Sequence, residues 1–306
     1  MRDGAVSGVV AIQPEGELAM DRASAWDVDA SIVRWVHELS NIIGERNDRD
    51  SLRYKHLGFA RDLILRELSE AAGASARVCP YRVGELSFDN IELELPGSRR
   101  DAPAIVVGAH YDTARTAPGA NDNGSAVACL LALARLLQGE RLGCPVRLVA
   151  FTNEEPPHTR APTMGSLVYA SRLAYRGVEL RGMLSLETLS IPRTLSFVPV
   201  PLFVAGNLHS RRLAKSFRGW LGPIERCRTL ALAAPGFLPG IRSSDHWSFW
   251  QHGWPAVMLT AGGPLTYPHY HGTSDRMENM RLDHLGAVAR ACAKAIATWS
   301  SQSDPA

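Results

Sequence analysis

The sequence predicts an α/β fold in which helices cover both faces of a largely parallel sheet. The first reason is that continuous apolar runs of strand length alternate with helical stretches from residue 104 onwards. This alternation is typical of units in which a helix connects two parallel strands that are buried on both faces. The second reason is the alternation of apolar and charged residues at 88–95, which together with Arg77–Val83 indicates a half-exposed antiparallel pair.

The elements are predicted in chain order. Two helices come first, at about 27–45 and 51–72, and the second has apolar residues at helical spacing and ends at Gly73. After the antiparallel pair, buried strands are expected at 104–109, 146–152, 183–186 and Ala256–Thr260, and helices at 125–137, 164–173, 207–220 and 283–300.

The domain organisation follows from where these patterns are interrupted. Residues 1–25 show no periodicity and are predicted to be a flexible leader, and residues 26–306 are predicted to form a single domain. Residues 188–245 contain several prolines and little periodicity, so they are predicted to leave the sheet as a lid or cap.

Composition and charge exclude several classes of partner. The chain has 33 basic and 31 acidic side chains, and this near balance predicts neither nucleic acid nor an anionic membrane as the main partner. The five cysteines are odd in number and show no metal-binding spacing, which favours neither a disulfide framework nor a cysteine zinc site. No signal-peptide pattern and no apolar run of about 18 residues is present, so a soluble, cytoplasmic protein is expected.

Side chains that can bind metal follow several consecutive predicted strands. The residues at these junctions are His110 and Asp112, Asp122 in the polar loop before a helix, the pair Glu154 and Glu155, then Glu187, and finally His269 and His271. Each has an ordinary alternative explanation, such as a helix cap, a solvated acidic turn or a loop hydrogen bond. Because ligands gather at the carboxyl ends of such strands, the ordered set as a whole predicts a site for zinc or a similar divalent ion.

Five short motifs resemble the M28 family of zinc peptidases. They read Gly-Ala-His-Tyr-Asp-Thr from Gly108, Pro-Gly-Ala-Asn-Asp-Asn-Gly-Ser from Pro118, Asn-Glu-Glu-Pro-Pro from Asn153, Met-Gly-Ser from Met164 and Ser-Leu-Glu-Thr from Ser185. That family includes bacterial leucyl aminopeptidases and, more distantly, glutamate carboxypeptidases and glutaminyl cyclases. The resemblance runs from about residue 100 to the C-terminus and implies a three-layer α/β/α fold with a mixed, mostly parallel sheet and two zinc ions.

The resemblance also implies roles for individual residues. His110 and Glu187 would bind one zinc, Glu155 and His271 the other, and Asp122 would bridge them. Glu154 would be the general base, and Asp112 would hold His110. His271 is preferred to His269 because it directly precedes the turn that follows the family's ligand. The family pattern further implies a strained, cis peptide bond after Asp122, and it leaves manganese, cobalt or a single metal ion as alternatives.

A further motif points to substrate. The stretch from Ser243 to Trp247 is similar to the family's Ser-Asp-His segment beside the substrate pocket. Asp245 and His246 are therefore candidates for substrate contact, with a structural role as the alternative. Arg242 is a candidate partner for a substrate carboxylate, with an exposed arginine as the alternative. No tyrosine is assigned to the stabilisation of an oxyanion.

The function that the resemblance implies is hydrolysis of peptide or small amide substrates by a metal-bound hydroxide, with Glu154 as general base, most simply as an aminopeptidase. Three alternatives stay open. One is a transferase similar to glutaminyl cyclases, with one zinc, and another is a pathway-specific amide hydrolase. The third is a non-catalytic binding protein on the same fold. The oligomeric state is not predicted.

Overall fold

The computed structural model describes residues 26–73, 75–238 and 240–302, so the predicted leader lies outside the described residues. Within these ranges eight strands form one sheet. The strands are β1 Arg77–Val83, β2 Leu86–Leu95, β3 Ala104–His110, β4 Val146–Phe151, β5 Leu180–Glu187, β6 Val200–Gly206, β7 Cys227–Ala233 and β8 Ala256–Thr260.

The sheet is mixed, as predicted. Its spatial order is β1-β2-β4-β3-β5-β8-β6-β7, with β4, β3, β5 and β8 parallel to one another. The β1–β2 pair is antiparallel and joins β4 in antiparallel register, and β6 also runs antiparallel to β8. Every residue of β3 and of β8 is buried, because central strands are covered on both faces. This burial explains their continuous apolar sequence.

Helices form the two outer layers. They are α1 Val28–His37, α2 Ser51–Ala72, α3 Ala126–Gln138, α4 Gly165–Tyr175, α5 Arg211–Leu221, α6 His246–Trp250 and α7 Leu285–Ser301. The first large cluster of buried residues joins α1, α2, α3, α5 and α7 to one face of the sheet. A second, smaller cluster joins α4 and α6 to the other face. The predicted three-layer architecture is therefore confirmed.

The boundaries of α2 illustrate how local sequence sets these elements. Asp50 precedes the helix, and its carboxylate accepts hydrogen bonds from the main-chain N–H groups of Leu52 and Arg53. Gly73 ends the helix with φ of +57°, a left-handed conformation in which glycine has no side chain to clash. The α2 helix thus begins and ends where the sequence predicts.

Residues 188–245 differ from the predicted lid, because β6, α5 and β7 lie within this range and extend the sheet at one edge. Two features hid these strands in the sequence. β6 contains Pro201, and β7 is an edge strand whose residues are mostly exposed. β7 therefore lacks the continuous apolar run of a central strand, and the proline in β6 argues against a central strand there. Within the described residues, no helix is both long enough and apolar enough to cross a bilayer.

Candidate active site

The predicted metal ligands meet at the carboxyl edge of the parallel strands. His110 is the last residue of β3, Glu187 is the last residue of β5, and Glu154 and Glu155 follow β4. Asp122 lies in the turn Ala120–Ser125, which leads into α3. His271 arrives from the loop after β8 and has φ of +57°. The structure thus brings all five predicted ligands and the predicted base into one cluster.

Asp122 lies at the centre of this cluster. One carboxylate oxygen, Oδ1, is 3.4 Å from His110 Nε2, and the other, Oδ2, is 3.1 Å from His271 Nε2. Glu187 Oε2 is 3.3 Å from His110 Nε2, and Glu155 Oε2 is 3.1 Å from His271 Nε2. Two groups of three ligands therefore share Asp122, and the candidate ligand atoms within each group lie within 4.8 Å of one another.

Several polar atoms in the cluster fit a bound cation. Both carboxylate oxygens of Asp122, Oε1 of Glu155 and Oε1 of Glu187 are buried and make no well-directed hydrogen bond within the described part of the chain. Buried polar atoms are normally satisfied, and leaving them without partners is costly. Carboxylate oxygens and imidazole nitrogens are ligands that zinc and related divalent ions accept. The donor set therefore fits divalent metal ions of this kind.

A second set of residues fixes the loop that carries Asp122. Asp275 accepts hydrogen bonds from the main-chain N–H groups of Asn121 at 2.9 Å and Asp122 at 3.1 Å. Asn123 donates to the carbonyl of Leu186 at 3.0 Å and accepts from the N–H of Thr188 at 3.0 Å. The Asp122–Asn123 peptide bond is cis, as the family pattern implied. This polar loop is therefore tied to the end of β5, where Glu187 lies.

Asp112 positions the glutamate pair as well as His110. Its Oδ1 lies 3.5 Å from His110 Nδ1. The same carboxylate accepts the main-chain N–H of Glu154 at 3.1 Å and that of Glu155 at 3.0 Å. Burial alone would raise the pKa of Asp112, but His110 and the two N–H groups outweigh it and hold the pKa below its usual value. Asp112 is therefore an anion that orients three site residues at once.

The environment of Glu154 suits a general base. Its Oε2 is 3.9 Å from His110 Nε2, and Thr159 donates a hydrogen bond to its main-chain carbonyl at 2.7 Å. Burial raises the pKa of Glu154 well above its usual value, and the charges of Glu155 and Glu187 add to this increase against the opposite effect of His110. A carboxylate with a raised pKa is a stronger proton acceptor, and a cation bound at the cluster would favour the ionised form that accepts the proton.

The neighbouring ligands have shifted pKa values as well. Burial and the charge of Asp122 raise the pKa of Glu155 to about 7. Burial lowers the pKa of His271, but its contacts with Asp122 and Glu155 outweigh this and raise it to about 10. Because ligands bind metal in their deprotonated form, a cation at this cluster competes with protons.

The three predicted substrate-binding residues lie in different environments. Asp245 is fully buried against the cluster, and burial together with the charge of Glu187 raises its pKa to about 7 despite the opposing effect of His110. His246 is also fully buried, but its Nε2 donates to the carbonyl of Ile241 at 2.7 Å and its ring packs edge-on against Trp250. Arg242 is exposed. The structure therefore places Asp245 at the site, whereas the contacts of His246 are with the protein interior.

The buried His246 gives a pH-dependent contribution to stability. Burial lowers its pKa to about 4, whereas the unfolded chain takes up this proton near 6.5. Between these values the unfolded state binds more protons, so stability falls as the pH decreases from 6.5 towards 4, by about 3 kcal/mol. His246→Gln, which keeps an N–H donor for Ile241, should remove this part of the pH dependence in urea unfolding at pH 7 and pH 4.5. An unchanged difference between the two pH values would contradict it.

Two functional candidates were missed by the sequence analysis. Tyr270 stacks on His271 with ring centroids 4.0 Å apart. Burial raises the pKa of its hydroxyl, and the charges of Asp122 and Glu187 raise it further, so the hydroxyl stays protonated beside the carboxylates. Ser244 donates to Glu187 Oε2 at 2.8 Å. Adjacency to His271 was a usable signal for Tyr270, and for Ser244 the signal was its place in the stretch from Ser243 to Trp247.

An apolar cavity opens beside the cluster. It has a volume of about 470 Å³ and is bordered by Glu187 and Tyr270. Its apolar lining comes from β6, β7, β8 and the loops that follow them: Phe203, Ala205, Leu232, Ile241, Met258 and Leu265. A substrate bound at the cluster can therefore place an apolar side chain in this cavity.

The three-layer fold and the clustered carboxylate and imidazole groups at its strand ends indicate a metal-binding protein. The chain belongs to peptidase family M28, whose model matches residues 90–296. The family membership predicted from the sequence motifs is therefore confirmed.

Curated relatives match parts of the chain. The uncharacterized protein YfbL of Escherichia coli is 35% identical over 61% of this chain and 64% of its own length. Aminopeptidase YwaD of Bacillus subtilis is 26% identical over 66% of this chain and 42% of its own length. The chain thus spans less than two thirds of the length of these relatives.

Solved structures share the fold at low sequence identity. The LapA aminopeptidase of Legionella pneumophila has a TM-score of 0.70 at 17% identity, over 94% of this chain and 78% of its own. A Zn-dependent exopeptidase of Parabacteroides distasonis has a TM-score of 0.67 at 16% identity, over 88% and 97%. A glutaminyl cyclase of Porphyromonas gingivalis has a TM-score of 0.67 at 17% identity, over 89% and 99%.

Proposed function

We propose that this protein is a zinc-dependent aminopeptidase that hydrolyses peptide or small amide substrates. The observation that carries the proposal is the pair of ligand groups that share Asp122, with Glu154 against them. Membership of a peptidase family and the similarity to an aminopeptidase of Bacillus subtilis support the same conclusion.

Each site residue has a separate role in the proposed hydrolysis. His110 and Glu187 would hold one zinc ion, Glu155 and His271 a second, and Asp122 would contact both. When bound, such ions polarise the scissile carbonyl and lower the pKa of the attacking water. Glu154 takes the proton from that water and passes it to the leaving amine. Asp112 keeps Glu154 and Glu155 in place through their main-chain N–H groups.

Tyr270 completes the proposed site on the cavity side. Its protonated hydroxyl can donate a hydrogen bond to the carbonyl oxygen on which negative charge develops. The adjoining cavity accepts the side chain on the amino-terminal side of the scissile bond, and its lining favours leucine, methionine or phenylalanine there.

A substrate panel tests the proposed activity. Aminoacyl anilides, dipeptides, amino-terminally blocked peptides and glutaminyl peptides are incubated with the protein, with and without a chelator. The proposal expects chelator-sensitive cleavage of substrates with a free amine and an apolar first residue. Cleavage of blocked peptides alone, or no cleavage by a zinc-loaded protein, would contradict it.

The cavity gives a sharper prediction about specificity. Ala205→Leu fills part of the cavity, so kcat/KM for a leucyl anilide should fall by about 10-fold or more relative to that for an alanyl anilide. Ala231→Leu is the matched control, because Ala231 lies exposed on the neighbouring strand β7. Equal ratios of the two substrates in both variants would exclude this cavity as the side-chain pocket.

A second candidate is a transferase similar to glutaminyl cyclases, which the likeness to the Porphyromonas gingivalis enzyme supports at the level of the fold. This alternative expects one metal ion per chain and cyclisation of an amino-terminal glutamine. The presence of two ligand groups, His110 with Glu187 and Glu155 with His271, beside different oxygens of Asp122 favours hydrolysis with two ions. The glutaminyl peptides of the panel distinguish the two reactions.

A further inference from the structure

Arg46 is a completely buried arginine in the turn that precedes α2. Its guanidinium group donates hydrogen bonds to five main-chain carbonyls. The acceptors are Leu39 at 3.1 Å, Gly44 at 3.1 Å, Tyr111 at 2.5 Å, Pro118 at 2.9 Å and Gly119 at 3.2 Å. A fork with five donors is a feature of arginine that lysine cannot reproduce.

These acceptors belong to two separate parts of the chain. Leu39 and Gly44 lie in the N-terminal helical region, whereas Tyr111, Pro118 and Gly119 lie in the loop between His110 and Asp122. That loop, residues 111–119, connects the ligand at the end of β3 with the shared ligand Asp122. Arg46 therefore connects the N-terminal region to the segment that lies between two of the proposed ligands, His110 and Asp122.

Main-chain contacts strengthen the same junction. The N–H of Thr113 donates to the carbonyl of Arg46 at 3.0 Å, and the N–H of Arg46 donates to Thr113 Oγ1 at 3.1 Å. Gly119 has φ of +69°, and a Cβ atom there would lie 2.3 Å from Thr113 Cγ2 and 3.2 Å from Arg46 Nη2. The junction is thus packed too closely for a larger residue at position 119.

The charge of Arg46 also bears on the site. Burial lowers its pKa to about 10, while the nearby carboxylates of Asp112, Asp275 and Asp122 favour the charged form, so it stays cationic at neutral pH. Within the described structure its side-chain hydrogen bonds run to carbonyl groups. The positive charge of Arg46 therefore stabilises the ionised form of the neighbouring carboxylates, and their oxygens stay available to bind metal.

We propose that Arg46 is a positioning residue for the metal centre, which holds the loop 111–119 so that His110 and Asp122 face the same ions. The inference rests on the proposed metal-dependent function. It makes the centre dependent on a residue that lies outside the segment matched by the family model, residues 90–296, although all the proposed ligands lie inside it.

The test compares zinc affinity in Arg46→Lys with that of the wild type and of Arg281→Lys, by competition with a chromophoric chelator. Arg281 is the matched control, because it is also buried and donates to the carbonyls of Leu195 and Val198, and its charge pairs with Asp283. Arg46→Lys should weaken zinc binding by about 10–100-fold, as loss of a residue that orients metal ligands does. Arg281→Lys should lower the melting temperature and leave zinc affinity within about twofold of the wild type.

The outcomes separate the inference from the proposed function. A wild-type protein that binds no zinc contradicts the proposed function. A wild-type protein that binds zinc, with Arg46→Lys at the same affinity, overturns the inference alone. If Arg46→Lys does not fold, Thr113→Val removes the hydroxyl that accepts the Arg46 N–H and should weaken zinc binding by about 2–10-fold. Wild-type affinity in that variant would overturn the inference as well.

Discussion

Glu154→Gln is expected to keep its zinc and to lose turnover by about 10²–10⁴-fold, because the amide has the shape of the carboxylate and cannot accept the proton of water. The main-chain N–H of residue 154 still donates to Asp112, so the ligand geometry should be preserved. The measurement is kcat on the best substrate of the panel, with zinc content determined on the same sample. The loss should appear in kcat, with a small change in KM.

Glu140→Gln provides the control for this variant, because Glu140 is an exposed residue after α3, and it should have wild-type kcat. Two results would contradict the role of Glu154. One is a Glu154→Gln protein with kcat within a few-fold of the wild type, which would show that another group acts as the general base. The other is loss of zinc from this variant, which would make Glu154 a ligand.

Asp122→Asn is expected to lose zinc itself. Asp122 is the residue shared by the two ligand groups, and asparagine removes its negative charge in a buried place. Removing one partner of a buried charge pair costs about 3–5 kcal/mol, which corresponds to roughly 10²–10⁴-fold in affinity. Calorimetric titration with zinc measures the change, and activity should fall in parallel at limiting zinc.

Asp62→Asn is the matched substitution at an exposed aspartate of α2 and should titrate as the wild type does. If Asp122→Asn bound zinc as tightly as this control, Asp122 could not be the shared ligand. Loss of only one of two binding events would show that Asp122 serves one ion alone.

The sequence predicts the central strands and the ligands for the same physical reason. β3 and β5 are buried along almost their whole length, so most of their residues are apolar, and the chain becomes polar where these strands reach the edge. His110 and Glu187 stand at this transition, which makes them recognisable by position. The family motifs then select among the polar residues, as the choice of His271 over His269 illustrates.

The remaining features depend on contacts that the sequence does not encode locally. β7 is mostly exposed at the sheet edge and so lacks the pattern of a buried strand, and the proline in β6 argues against a central strand there. Arg46 lies about 65 residues from the loop that it clamps, and its burial is visible only after folding. His246 belongs to a family motif, but the orientation of its ring is set by its hydrogen bond to the carbonyl of Ile241. Sequence position alone gives no signal for any of these contacts.

The number of metal ions per chain tests the central claim most directly. Metal-free protein is titrated with zinc in a calorimeter, and the bound zinc is then determined by elemental analysis after gel filtration. Two ligand groups that share Asp122 predict two equivalents per chain. A single equivalent in the wild type would contradict the two-ion centre and would favour the single-zinc, cyclase-like alternative.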